Sequence, residues 1–395
     1  MPGSVIVAGA RTPIGKLSGA LAGFSATELG GFAIKAALER AGISGEQVDY
    51  VYMGQVLQAG AGQITARQAA VKGGIPMSVP ATTINKVCLS GLNSIYLADQ
   101  MISNGDADIV VAGGMESMTK APHLLPGSRE GYRIGDSALV DSMMFDGLFC
   151  AFDVVAMGAG TEKYTAADGK ITREAQDNFA ALSHERASAA IKEGKFADEI
   201  VNVEVPQRKG DPIIVDTDEG VRPGTTGETL AKLRPAFAPD GTISAGNASQ
   251  ISDGGAAVVV MSKAAADKAG VTPLGEVVSY GQVAGPDASL LTQPSRSSLQ
   301  AIEKAGKSVG DIDLFEFNEA FAAVGLASMA DLGISDEICN VNGGAISLGH
   351  PIGMSGTRLA MTILHELKRR GGGSGVAALC GGGGQGDALF VRTIS

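Results

Sequence analysis

The sequence predicts a layered α/β protein made of two similar halves, with a long segment inserted between them. Three observations carry that expectation: an internal repeat, strand-like and helix-like segments alternating within each copy, and a composition rich in glycine and poor in charge. Gly supplies 56 of the 395 residues, and Asp, Glu, Lys and Arg together make up 18%, against about 25% in an ordinary globular chain. The glycines fall in short bursts between apolar runs, which suits tight turns and closely packed backbones rather than disorder. A chain of this length corresponds to roughly two to three domains and buries a large core.

The first copy of the repeat, ALERAGISGEQVDYVYMGQ, starts at Ala37, and the second, AIEKAGKSVGDIDLFEFNE, starts at Ala301; they align without a gap at an offset of 264. Ala37, Glu39, Ala41, Gly42 and Asp49 fall on Ala301, Glu303, Ala305, Gly306 and Asp313. Each copy reads as an amphipathic helix, a glycine stop, a short turn and an apolar strand. The first then continues through NKVCLSGLNSIYLADQMI to the strand ADIVVAGGMES. The second continues through NGGAISLGHPIGMSGTRLAMTILHEL to GVAALCGGGGQGDALFV. A helix is expected to open at Ser90-Gly91 in one and Ser355-Gly356 in the other, and the next strand to end at a double glycine. Alternating strands and helices in both copies imply two α/β halves related by a pseudo-two-fold.

The region between the copies is richer in charge and turn signals. It predicts a helix over 172–194 with Thr172 as its N-cap. The segment 248–262 then returns to the first half as a buried strand. The expected division is 1–118 with 250–270 as the first half, 119–249 as an inserted loop domain, and 271–395 as the second half.

The net charge of −11, from 42 acidic and 31 basic residues, with no basic stripe, argues against nucleic acid as a partner. The opening MPGSVIVAGARTPIG has no charged-then-apolar leader, and no apolar run approaches the roughly 18 residues of a membrane span. A cytoplasmic protein without membrane contact is the expectation. Four cysteines, Cys88, Cys150, Cys339 and Cys380, lie far apart with no C-x-x-C spacing, which disfavours a bound metal and a disulfide framework. Gly381, Gly383 and Gly386 match G-x-G-x-x-G, yet a strand follows where a dinucleotide site needs a helix. No P-loop occurs, and His365-Glu366 lacks the second His of a zinc helix.

Cys88 falls between an expected strand, ATTIN, and an apolar helix starting near Leu89. A thiol at a helix N-terminus is stabilised as thiolate by the free N–H groups there; the plain alternative is a small residue at a crowded turn. His350 lies in Gly349-His350-Pro351, which the repeat sets close to the counterpart of Cys88. If the halves face each other, nucleophile and base converge; otherwise His350 is a lone loop histidine. Cys380 ends the last apolar strand at four glycines, whose successive N–H groups can form an anion-binding concavity. Asn318-Glu319 ends the strand LFEF, where an Asn can orient a water or simply cap a helix.

CLSG around Cys88, NEAFA at 318–322, GGAISLGHPIGMSG at 343–356 and ALCGGGGQG at 378–386 together resemble the thiolase family. VAGARTPIG near the start, VLQAGAGQ at 56–63, AGGMESM at 112–118 and AGNASQISDG at 245–254 extend the likeness in family order over essentially the whole chain. The resemblance implies two βαβαβαββ halves in an α/β/α/β/α arrangement with an inserted loop domain. It also implies reversible condensation of two acetyl-CoA molecules through a cysteine thioester, with coenzyme A as substrate and no permanently bound cofactor. Carried over, Cys88 takes the acyl group, His350 activates it and helps bind an oxyanion, and Cys380 moves the α-proton. Asn318 holds the water of one oxyanion hole, and the Cys88 and Gly382 N–H groups form the other.

The same resemblance implies coenzyme contacts from Arg222 and Ser249. Leu148, Met157, Ala245, Phe237, Thr229, Ala320 and Phe321 would complete the tunnel, and a homotetramer, a dimer of dimers, is expected. Relatives that accept acyl carrier protein pair one Cys with two His, so a Cys at 380 favours thiolase. One departure concerns the pocket: short-chain members commonly have His before Met-Gly, whereas this chain has Ala156-Met157-Gly158. Two alternatives accompany the main expectation: a broader-chain 3-ketoacyl-CoA thiolase, and a non-catalytic acyl-CoA or lipid carrier, which could dispense with any of the four catalytic residues.

Overall fold

The computed structural model describes residues 3–394. Nine strands build its central sheet: β1 (Ser4–Arg11), β2 (Tyr50–Gly54), β3 (Ala81–Ile84), β4 (Ile109–Ser117), β5 (Ser252–Ser262), β6 (Gly275–Ala284), β7 (Leu314–Phe317), β8 (Ser374–Gly381) and β9 (Gln385–Arg392). Their order is β7-β8-β9-β6-β1-β5-β4-β2-β3, and a short strand at Gly15–Lys16 also pairs with β5. The two halves meet where β1 and β6 pair antiparallel through Val5–Glu276 and Ile6–Gly275. On either side of that seam the pairing matches: β2 and β4 run parallel, as do β7 and β8, while β4–β5 and β8–β9 are antiparallel. The counterpart of β3 in the second half is reduced to a single bridge between Phe315 and Cys339.

The repeat holds in detail. Helix α1 (Ala26–Ala41) is capped by Ser25 in a reciprocal box with Glu28 and stops at Gly42, φ 64°. The corresponding glycine of the second half, Gly306, has φ 68°. The one-turn helices Gly45–Gln47 and Val309–Asp311 likewise correspond. Helices α2 (Thr65–Lys72) and α3 (Ser90–Ser103) complete the first half. The inserted region contributes α4 (Met157–Asp168) and α5 (Arg173–Lys192), the latter capped by Thr172. The second half adds α6 (Gln293–Lys304), α7 (Ala322–Leu332) and α8 (Ser355–Arg369). One expectation is corrected. Gly113-Gly114 does not end its strand, because β4 stays paired with β5 through Ser117; only the second copy turns at its glycines.

Alternation along the buried strands sorts the core into layers. Ile109, Val111 and Met115 of β4 pack with α1 and α2, whereas Val110 and Ala112 face α3 and α8. On the far side, Phe315, Phe317 and Val376 pack with Ala301 and Met329 of α6 and α7. The order is therefore α1/α2, sheet, α3/α8, sheet, α6/α7. Helix α8 lies in the middle layer and is buried on nearly every face. Its one core guanidinium, Arg358, is matched by Glu316 at 2.6 Å.

Candidate active site

The two central helices start beside each other. A Cβ on Gly91 would lie 2.8 Å from the Gly353 carbonyl oxygen and 3.0 Å from the Thr357 nitrogen. Reciprocally, a Cβ on Gly356 would collide with the Leu92 backbone, and Thr357 Oγ1 donates to the Gly91 carbonyl at 2.9 Å. The Ser-Gly pairs thus permit an approach that any side chain would block. The loops preceding the helices, one with Cys88 and one with His350, are thereby brought to the same place.

The Cys88 loop is strained. Val87 has φ 51°, a left-handed conformation that β-branched residues strongly disfavour. Asn85 Oδ1 accepts from the Val87 N–H at 3.1 Å, while Ser90 Oγ accepts from the Lys86 N–H at 2.8 Å and donates to the Val87 carbonyl at 2.6 Å. The Cys88 side chain packs beside Val56, Leu57, Met118 and Ile352. Hydrogen bonding from the backbone N–H groups of Cys88 and Gly382 favours its ionised form. The sequence leaves open a stabilised thiolate or a small residue at a crowded turn, and burial weighs against the thiolate in the free chain. Burial pushes the Cys88 thiol up to about 12, Glu116 adds to the rise, and the two N–H groups offset only part of it. Cys88 rests as a neutral thiol.

His350 is 6% exposed. Gly349 before it has φ 113°, and a Cβ there would run into Ser252 and Ile14. His350 Nδ1 lies 2.6 Å from Ser355 Oγ, and Nε2 lies 3.3 Å from Asn318 Nδ2. Burial, with a smaller contribution from Arg358, lowers His350 to about 4, so the ring is neutral at pH 7. Asn318 Oδ1 is buried without a partner among the described residues. Cys380, 1% exposed, packs with Leu290, Ala320 and Phe321. Burial pushes its thiol far up, and the neighbouring Cys88 pushes it further.

A cavity of about 460 Å³ opens onto His350 and is lined by Leu148, Met157, Arg222, Phe237, Ala245 and Ser249. Ala156 and Phe321 also line it. Thr229 and Ala320 do not. Thr229 is exposed and spends its hydroxyl in a capping box with Thr226, while Ala320 is buried and meets Ser249 through its carbonyl, which accepts the Ser249 N–H at 3.0 Å. A second cavity of about 780 Å³ shares Met157 with the first and reaches Val87 and Gly382 from the other side.

Two residues escaped the sequence reading. The sequence marks Ser355 only as a helix opener, although its hydroxyl lies 2.6 Å from His350 Nδ1. Glu116 is buried and accepts the N–H groups of Val56, Leu57 and Gly353 at 3.0, 3.1 and 3.0 Å, which ties the His350 loop to the first half. Burial raises it to about 7. A lone carboxylate inside the apolar run VVAGGMES was the available signal, since a buried charge requires such partners.

Family comparison agrees with this architecture. The family model for the thiolase N-terminal domain matches residues 4–264, and that for the thiolase C-terminal domain matches 271–393. The chain belongs to the thiolase family. It is 58% identical over 388 residues to a probable acetyl-CoA acetyltransferase of Mycolicibacterium smegmatis, covering 98% of this chain and 100% of that protein. It is 54% identical over 389 residues to an acetyl-CoA acetyltransferase of Cupriavidus necator, covering 98% of each.

Proposed function

We propose that the protein is an acetyl-CoA acetyltransferase, condensing two acetyl-CoA into acetoacetyl-CoA and CoA and running the reverse thiolysis at the same site. One observation carries the proposal: the Ser90-Gly91 and Ser355-Gly356 helix starts pack together, so that the loops bearing Cys88 and His350 meet. The relatives named above support acetyl transfer over the broader-chain and carrier alternatives.

In the first half-reaction, neutral His350 takes the Cys88 proton at Nε2 as the sulfur attacks the thioester carbonyl. The Cys88 and Gly382 N–H groups face the developing oxyanion. The tetrahedral intermediate expels CoA thiolate, which takes the Cys380 proton and leaves as the free thiol. Burial is the main reason the Cys380 thiol is pushed far up, so its thiolate, once formed, is strongly basic. A thiolate of such high basicity then removes the α-proton of the second acetyl-CoA. The enolate attacks the acetyl carbon, the carbon–sulfur bond breaks, and Cys88 recovers its proton from His350. Asn318 Oδ1, a buried acceptor with capacity to spare, fits a water that completes an oxyanion hole with His350.

The 119–249 insertion supplies much of the coenzyme cavity, with Arg222 and Ser249 toward the coenzyme. Arg222 offers a cation and a flat face to a nucleotide. A homotetramer is supported by the apolar side chains that the same insertion leaves in solvent, Ile134 at 102% and Leu139 at 62% exposure. Cytoplasmic location accords with the fact that no helix among the described residues is long and apolar enough to cross a membrane. The deciding experiment is turnover of acetoacetyl-CoA beside an eight-carbon 3-ketoacyl-CoA, followed as loss of enolate absorbance. Clear preference for acetoacetyl-CoA supports the proposal; absence of turnover removes it.

A further inference from the structure

Lys86 precedes Cys88 by two residues. Asp387 lies on β9 next to Gly386, the residue paired with Cys380 across the hairpin. Lys86 Nζ stands 2.8 Å from each carboxylate oxygen of Asp387. Asp387 is 0% exposed and also accepts a hydrogen bond from the Tyr280 hydroxyl. The Tyr280 ring on β6 stacks on Tyr96 of α3 with centroids 4.2 Å apart. One ion pair and one aromatic stack therefore join the nucleophile loop and its helix to the strands behind the Cys380 hairpin.

Stability alone is a poor reason for this arrangement. With Asp387 buried and Lys86 half-buried, such a pair is commonly no more stabilising than apolar side chains of similar volume, because a charge must leave water. Position is the better reason. Val87, between Lys86 and Cys88, is held in a conformation that the loop would relax if released. The other side-chain hydrogen bonds of this loop, from Asn85 and Ser90, stay within the first half. Lys86 reaches across to the other half.

We propose that the Lys86–Asp387 ion pair is a positioning clamp, setting the Cys88 sulfur against Cys380 and the Gly382 N–H group. The clamp rests on the acyl-transfer reading given above. Neither residue lines the coenzyme cavity, so the clamp acts on turnover and leaves substrate binding alone. Displacing reacting groups by an ångström can cost about a hundredfold in rate.

The test compares wild type with Lys86→Met, Lys86→Arg and the double variant Lys86→Met/Asp387→Leu in steady-state thiolysis of acetoacetyl-CoA. Lys86→Met is expected to lower kcat by about tenfold or more while KM moves less than about twofold. Lys86→Arg should recover most of that loss, since a guanidinium can grip both carboxylate oxygens. The double variant leaves no charge uncompensated. It should melt near the wild-type temperature and still show the reduced kcat. A double variant with wild-type kcat overturns the clamp, as does one that cannot fold, because the pair would then serve stability. An inactive wild type would instead remove the acyl-transfer reading and the clamp together, so the two failures are distinguishable.

Discussion

Ser355 Oγ, 2.6 Å from His350 Nδ1, donates its own proton to the Pro351 carbonyl at 2.9 Å. With its hydrogen committed, the Ser355 oxygen can only accept, so the hydrogen-bond pattern assigns the imidazole proton to Nδ1. The lone pair is left on Nε2, toward Asn318. A serine at the start of a helix thus selects the tautomer that can act as a base.

Ser355→Ala should therefore slow acylation with little effect on affinity. The Nδ1 proton would lose its acceptor, and the ring would be free to rotate or exchange tautomers. Single-turnover acetylation of Cys88 by acetyl-CoA, followed by intact mass, is expected to slow by about tenfold to a hundredfold, with the half-saturating concentration nearly unchanged. An unaltered rate would show that something else orients His350.

The pH dependence should depart from that of a preformed thiolate–imidazolium pair. Cys88 is pushed up to about 12 and His350 down to about 4, so the neutral pair spans the ordinary working range. Alkylation of the free enzyme by iodoacetamide should keep climbing through pH 9 instead of levelling near neutrality. A plateau below pH 8 would falsify the neutral-thiol description. The stability effect follows by linkage. His350 has a native value below the unfolded 6.5, so the native state binds fewer protons between the two. Its contribution is present above pH 6.5 and is lost as pH falls toward 4, which thermal melts of wild type and His350→Asn across that window can resolve.

The two cysteines should separate by half-reaction. Cys380→Ser is expected still to acetylate at Cys88, more slowly because the departing CoA thiolate loses its proton donor, yet to lose most condensation, since a serine alkoxide is too costly to form for α-proton removal. Cys88→Ser should lose both. Peptide mapping after incubation with acetyl-CoA reads the first step, and acetoacetyl-CoA formation reads the second. Equal loss of acetylation in both variants would merge the roles.

Ala156 lines the cavity beside Met157, and its methyl group offers neither bulk nor a polar atom. Wild type should accept a methyl branch or a few extra carbons in a graded way, each buried methylene contributing at most about 0.8 kcal/mol. Ala156→His should narrow turnover toward acetoacetyl-CoA. Should wild type already reject everything beyond four carbons in kcat/KM comparisons, another residue closes the pocket.

The repeat made the fold readable, because a helix, a glycine stop and a strand recurring in register leave few arrangements for two α/β halves. The approach of the loops that carry Cys88 and His350 was readable for the same reason. What escaped depended on distance between elements remote in sequence. The balance that decides the Cys88 ionisation pits local N–H groups against burial by Val56, Leu57 and Ile352, and only the first is visible along the chain. Thr229 could not be distinguished from a pocket residue without seeing its hydroxyl returned to Thr226. Lys86 and Asp387 looked like unrelated charges until β9 placed them in contact.

The scaffold is two-fold, but its centre has room for only one occupant. Gly353 stands two residues before Ser355, as Cys88 stands two before Ser90, so the glycine occupies in the second half the place of Cys88 in the first. A Cβ on Gly353 would lie 2.9 Å from the Gln55 Cα and 3.0 Å from a Glu116 carboxylate oxygen. A second cysteine cannot be accommodated there. Joining the halves in one chain lets the same backbone position carry a sulfur on one side and nothing on the other, and that inequality makes a single reactive centre out of a duplicated frame.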